Sequence, residues 1–87
     1  MREYPYLSES IAYVLEKIRV ERGMSKSALA DFAALQRKYL FEIEHQTRKP
    51  TVNAMFSLCD ALQIAPDEFF RQVVVRMKEL QQEHPQQ

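Results

Sequence analysis

From Ile11 to Leu80 the chain repeats apolar positions at helical spacing, broken by short polar stretches. Ile11, Val14, Leu15 and Ile18 recur at i, i+3, i+4 and i+7, the pattern of one buried helix face. This predicts a first helix over Ser8–Arg22, with Ser8 capping its amides and Gly23 closing it beside the apolar Met24. A second helix is expected over Lys26–Ala33, capped by Ser25, with Leu29 and Phe32 on its apolar face. Ala28, Ala30, Ala33 and Ala34 favour helix there and allow a neighbour to approach closely. Only a change of apolar phase at Leu35 marks the next break. A third helix over Arg37–Gln46 turns Leu40 and Ile43 inward. Pro50 excludes Lys49 from helix, so a loop covers Thr47–Pro50. Thr51 then caps a fourth helix over Val52–Leu62, with Val52, Met55, Leu58, Cys59 and Leu62 inward. Pro66 suits the first turn of a fifth, and Asp67 and Glu68 suit the positive end of its dipole.

The fifth helix continues through Phe69, Phe70, Val73, Met77 and Leu80. Phe70, Val73, Met77 and Leu80 are spaced 3, 4, 3, a seam that one short helix does not bury alone. It either folds back on its own domain or pairs with a second copy, and pairing is the expectation. Tyr4-Pro5-Tyr6-Leu7 is an apolar arm that either packs on the same seam or stays loose, and the Gln-rich end with Pro85 is expected to fray. The only β-branched run, Val73–Val75, lies inside this helical pattern, so strand cues are missing.

Composition narrows the function. At 87 residues, 46% hydrophobic and 28% charged, the chain has room for one domain and one core. No stretch is long and apolar enough to predict a membrane span, and no apolar run follows Arg2 and Glu3 to suggest a secretory signal. A single cysteine, Cys59, excludes an internal disulfide and a cysteine-rich zinc site, and a cytoplasmic address is expected. Cys59 falls on an apolar face and reads as a small buried hydrophobe. His45 and His84 share no metal-ligand spacing, and one glycine does not build a phosphate-cradling loop. Glu42 and Glu44 point to different faces of a helix. They are not a catalytic pair, and Glu44 reads as a structural hydrogen-bond partner. Without a nucleophile–base–orienter set, no enzyme is expected. Net charge is zero, which speaks against indiscriminate nucleic-acid binding. Yet Gln36–Lys49 carries a local net of +2 and residues 51–87 a net of −2, the asymmetry that DNA binding needs.

Two short helices joined by a tight turn inside a small helical core form the helix-turn-helix plan. Its residues here are Arg22-Gly23-Met24-Ser25-Lys26-Ser27-Ala28-Leu29-Ala30, Tyr39-Leu40-Phe41-Glu42-Ile43-Glu44, Lys49-Pro50-Thr51, Leu58-Cys59-Asp60-Ala61-Leu62 and Pro66-Asp67-Glu68-Phe69-Phe70. Over about Ile11–Phe70 the chain resembles the Cro/CI-type, or XRE, family of bacterial and phage regulators. The resemblance implies an all-α, five-helix, λ-repressor-like domain whose third helix enters the DNA major groove, often as a dimer. It divides the chain into an arm (1–7), a helix-turn-helix domain (8–70) and a C-terminal helix extension with a frayed tail (71–87). By position, Gln36, Arg37, Lys38, Phe41 and Glu42 would face base edges, and Lys26, His45, Arg48 and Lys49 would touch phosphates. Phe70, Val73, Met77 and Leu80 would serve dimerisation.

The residue chemistry fits those roles. Arg37 or Lys38 can donate to guanine O6 and N7, Gln36 can pair with adenine, and Phe41 can pack on a thymine methyl. Glu42 can accept from cytosine N4 or repel phosphate and so restrict the sites tolerated. Cations at a helix amino terminus oppose its dipole, so Arg37 and Lys38 side by side suggest an anionic partner. The sequence also departs from the family pattern. Ala34 stands where the turn usually has glycine, Gln36 where a Ser or Thr caps the reading helix, and Gln46 where a glycine often ends it. Lys26 replaces a glutamine and Phe41 a small residue. The expected protein is a transcriptional regulator that reads a short palindrome in double-stranded DNA as a homodimer. No cofactor, small-molecule ligand or membrane partner is expected. The alternative is a protein-interaction module on the same fold, antitoxin-like or an accessory subunit, with its DNA face repurposed.

Overall fold

The computed structural model describes residues 2–84, and five helices with no strand make up its regular structure among those residues. They are α1 (Leu7–Glu21), α2 (Lys26–Phe32), α3 (Arg37–Glu44), α4 (Val52–Leu62) and α5 (Pro66–Glu83). The order and type match expectation; both ends of α4 and the starts of α2, α3 and α5 coincide with it, and both ends of α1 and the ends of α2 and α3 differ by one or two residues. The fraying expected around Pro85 lies outside the described residues. None of the described helices is long and apolar enough to cross a membrane.

Leu15, Leu29, Leu40, Leu58, Leu62 and Phe69 are fully buried, and each helix contributes at least one of them. α1 packs on α3 and α5, α2 on α3 and α4, and α4 on α5. Cys59 lies in this core as expected, and burial pushes its thiol above the ordinary value. Leu7, Met24, Leu35, Tyr39, Ile64, Phe70 and Met77 close the core's margins.

Caps explain the breaks. Ser25 Oγ accepts from the Ala28 amide at 3.0 Å, and Thr51 Oγ1 from the Ala54 amide at 3.1 Å. At the other ends, Met24, Leu35, Thr47 and Ile64 each donate back to the carbonyl five residues earlier, at 2.9–3.0 Å. This is the Schellman closure, and it requires a left-handed residue just before each donor. Those residues are Gly23, Ala34, Gln46 and Gln63, with φ of 69°, 57°, 64° and 57°. Three of the four carry a Cβ in a conformation that suits glycine.

Four expectations need correction. Ser8 does not cap α1: the helix begins one residue earlier, after a left-handed Tyr6 with no side-chain cap. Val52 and Phe32 do not point inward, being 75% and 74% exposed. Val52 opens α4 one turn before the core-facing Met55, and Phe32 ends α2 just past the buried Leu29 and Ala30. The α5 seam does not stand free for a partner. Val73 and Leu80 are buried, and Phe70 and Met77 pack against the same core. α1 and α4 receive that seam, because α5 folds back along both. The arm follows it, with the Tyr6 hydroxyl donating to the His84 carbonyl at 3.1 Å.

Candidate nucleic-acid interface

The α2–α3 turn sets this surface. Ala34 takes the left-handed position and the Leu35 amide reaches the Ala30 carbonyl at 2.9 Å. Leu35 packs on the core and Leu40 and Ile43 are buried. Gln36, Arg37, Lys38, Phe41 and His45 therefore lie on the exposed side of α3. A buried ion pair fixes the far end of the helix: Arg19 Nε and Nη2 donate to the two oxygens of Glu44 at 2.9 and 3.2 Å. Arg19 Nη1 also donates to the Met24 carbonyl at 2.9 Å, so α1, the α1–α2 turn and α3 share one anchor. Glu44 is the structural partner expected of it.

The amino terminus of α3 invites an anion. Gln36 occupies the cap position but its side chain makes no capping bond, and the first turn holds no acidic residue. The free amides and the helix dipole thus add to the charges of Arg37 and Lys38. Lys38 has no hydrogen-bond or ion-pair partner among the described residues. The Gln36 amide group is likewise open for pairing with a base edge.

The other polar groups are already engaged. Arg37 Nη2 meets Asp31 at 3.2 Å across the turn, and Arg48 Nη2 meets Glu42 at 3.0 Å. Lys49 pairs with Glu3 of the arm. The Arg37–Asp31 and Lys49–Glu3 pairs face solvent and are of small worth, so an incoming phosphate or guanine can displace them at little cost. Glu42 in the Arg48 pair, by contrast, is partly buried. Lys26 Nζ lies over the Phe41 ring, 5.3 Å from its centroid, and His45 stacks on that ring at 3.8 Å. Arg48 lies over Tyr39, whose hydroxyl accepts from the Thr51 amide at 3.1 Å.

Of the residues assigned from sequence, Lys26 and His45 both lie against Phe41, and Arg48 meets Glu42. Gln36, Arg37 and Lys38 are exposed at the start of α3, and Lys49 turns to the arm. The residues expected to serve dimerisation lie away from this surface, with Val73 and Leu80 buried and Phe70 and Met77 partly buried against the protomer's own core. Sequence reasoning missed Asp31, Glu3 and Tyr39. The four-residue turn was enough to bring Asp31 back to Arg37, whereas nothing local marks the arm's approach to Lys49.

This geometry is an exposed, cation-bearing helix held rigidly behind a four-residue turn. The model of the family described as "Helix-turn-helix" matches residues 15–69, which include both helices and that turn. The chain belongs to the helix-turn-helix family. It is a sequence-specific DNA-binding transcription regulator of the XRE type, a regulatory family and not an enzyme family. No curated protein matches the chain. Among solved structures, this helix-turn-helix protein is similar to the restriction-modification controller protein C.Esp1396I, at 29% identity and a TM-score of 0.75, over 79% of this chain and 88% of that one. It is also similar to the C.Esp1396I tetramer in complex with its natural 35 base-pair operator, at 28% identity and a TM-score of 0.77, over 83% and 95% of the two chains. The controller protein C.AhdI from Aeromonas hydrophila shares 30% identity and a TM-score of 0.68, over 70% of this chain and 92% of its own.

Proposed function

We propose that this protein is a controller-type regulator that binds a short palindromic operator as a homodimer in the cytoplasm, with one α3 in the major groove of each half-site. The observation that carries this reading is the amino terminus of α3. It is uncapped, free of acid, and bears Arg37 and Lys38 beside an unengaged Gln36. In this reading Arg37, Lys38 and Gln36 reach base edges, with Phe41 and Glu42 alongside. Lys26, His45, Arg48 and Lys49 meet phosphates and set the register. Likeness to a controller protein in complex with its operator supports DNA over a protein partner as the ligand of this face.

The pairing surface is proposed at the α4–α5 corner and not on the α5 seam. Phe56 is 54% exposed there. It shares an open pocket of about 720 Å³ with Ile64, Ala65 and Pro66, rimmed by the polar Asp60 and Gln63, a mixed surface that a second copy would cover.

The test is selection from a random duplex library at near-physiological salt. Enrichment of a palindrome whose halves lie about one helical turn apart is the expected result. Folded protein that enriches nothing contradicts the proposal and returns the interaction module to favour.

A further inference from the structure

Phe41 is a large apolar side chain in the middle of a face otherwise made of polar and charged groups. The core does not account for it, since the residue is 49% exposed. Nor is the ring loose. His45 stacks on it with a centroid separation of 3.8 Å and an interplanar angle of 23°. His45 is itself held, because its Nδ1 lies 2.9 Å from the Phe41 carbonyl. A carbonyl only accepts, so Nδ1 carries the proton and the imidazole is locked to the backbone of the residue it stacks on. From α2, Lys26 Nζ lies over the ring, 5.3 Å from its centroid. The side chain is thus ordered before any ligand arrives, and binding does not have to pay that entropy again.

What such a group can read follows from the chemistry of the groove. Base edges in the major groove offer donors and acceptors, and the one apolar group among them is the C5-methyl of thymine. A phenyl ring laid on a donor or acceptor leaves that group without a partner, which costs affinity. Laid on a methyl, it removes apolar surface from water. We propose that Phe41, held by Lys26 and His45, reads a pyrimidine C5-methyl group at one position of each half-site. The inference rests on the proposal that α3 enters the major groove. Two sources carry this methyl in the same place, thymine and 5-methylcytosine. In the second case binding responds to cytosine methylation of the operator.

The probe is the duplex that the wild-type protein enriches. Each thymine is replaced singly by deoxyuridine and, in a second series, each cytosine by 5-methylcytosine. Affinities are measured by fluorescence anisotropy. One position per half-site should distinguish the methylated from the unmethylated pyrimidine by about fourfold, the worth of one methyl group's transfer from water. A response in the deoxyuridine series identifies thymine as the source, and one in the second series identifies 5-methylcytosine. The difference should vanish in Phe41→Ala and shrink in Phe41→Leu and Lys26→Ala. Circular dichroism should report an unchanged fold, as Phe41 is half exposed. Equal affinities at every pyrimidine for the wild type overturn the inference, as does an undiminished difference in Phe41→Ala and Phe41→Leu, while operator binding itself stands. A library that enriches no duplex overturns the major-groove reading and this inference with it.

Discussion

Besides Tyr6 at the start of α1, three residues at helix ends hold a backbone conformation that their side chains resist. Ala34, Gln46 and Gln63 adopt positive φ to close α2, α3 and α4, and all three are exposed. A left-handed L-residue costs roughly 1–2 kcal/mol, and the extra freedom of glycine in the unfolded chain returns about 0.4–1 kcal/mol of that. Ala34→Gly and Gln46→Gly should therefore each stabilise the fold by about 0.5–1 kcal/mol, read as a higher urea midpoint at unchanged slope. The first two positions were legible in the sequence as places where related chains carry glycine. Gln63 was not, since Leu62-Gln63-Ile64 contains no residue that favours the conformation and only the closing bond from Ile64 to Cys59 reveals it. The same limit applies to Lys49, whose partner Glu3 lies 46 residues away. Local patterns locate a cation, whereas the acid that meets it depends on where the arm is carried by the fold.

At the scale of elements, the reading helix depends on a contact made behind it. Arg19 and Glu44 bury an ion pair whose side chains are only 9% and 3% exposed. Removing one partner leaves an uncompensated buried charge, so Glu44→Ala should destabilise the protein by about 3–5 kcal/mol, measurable by urea denaturation. A second electrostatic effect sits at the start of α5. Arg71 donates to both oxygens of Glu68 and Gln72 to one of them, and these bonds hold the Glu68 carboxyl below its usual range. A depressed folded-state value stabilises the fold above the ordinary carboxylate range and is lost as pH falls through the lower folded value. Glu68→Gln should accordingly flatten the acid limb of a stability–pH curve, a small effect because the pair is exposed. The helices themselves were legible because apolar spacing and the caps at Ser25 and Thr51 agree. The fate of α5 was not. A seam spaced 3, 4, 3 looks the same whether it meets another copy or its own α1, and only tertiary packing decides between them.

For the molecule as a whole, the central division is between contacts that read sequence and contacts that hold phosphate. Balanced net charge keeps indiscriminate attraction to DNA low, so affinity must come from a local face. Arg37→Ala should cost about 1–3 kcal/mol on the selected duplex and relax specificity at one base pair, seen by repeating the selection with the variant. Lys49→Ala should weaken binding to every duplex alike and reduce the salt slope by about one unit. Equal losses on all sequences for Arg37→Ala would remove it from the residues that read bases. The most direct measurement is the ratio of affinities for the selected duplex and a scrambled duplex of equal length, titrated side by side at near-physiological salt. A regulator that reads its operator through α3 should show a ratio of roughly 10³ or more. A ratio near one would contradict the account, because it would leave only the phosphate-holding contacts in use.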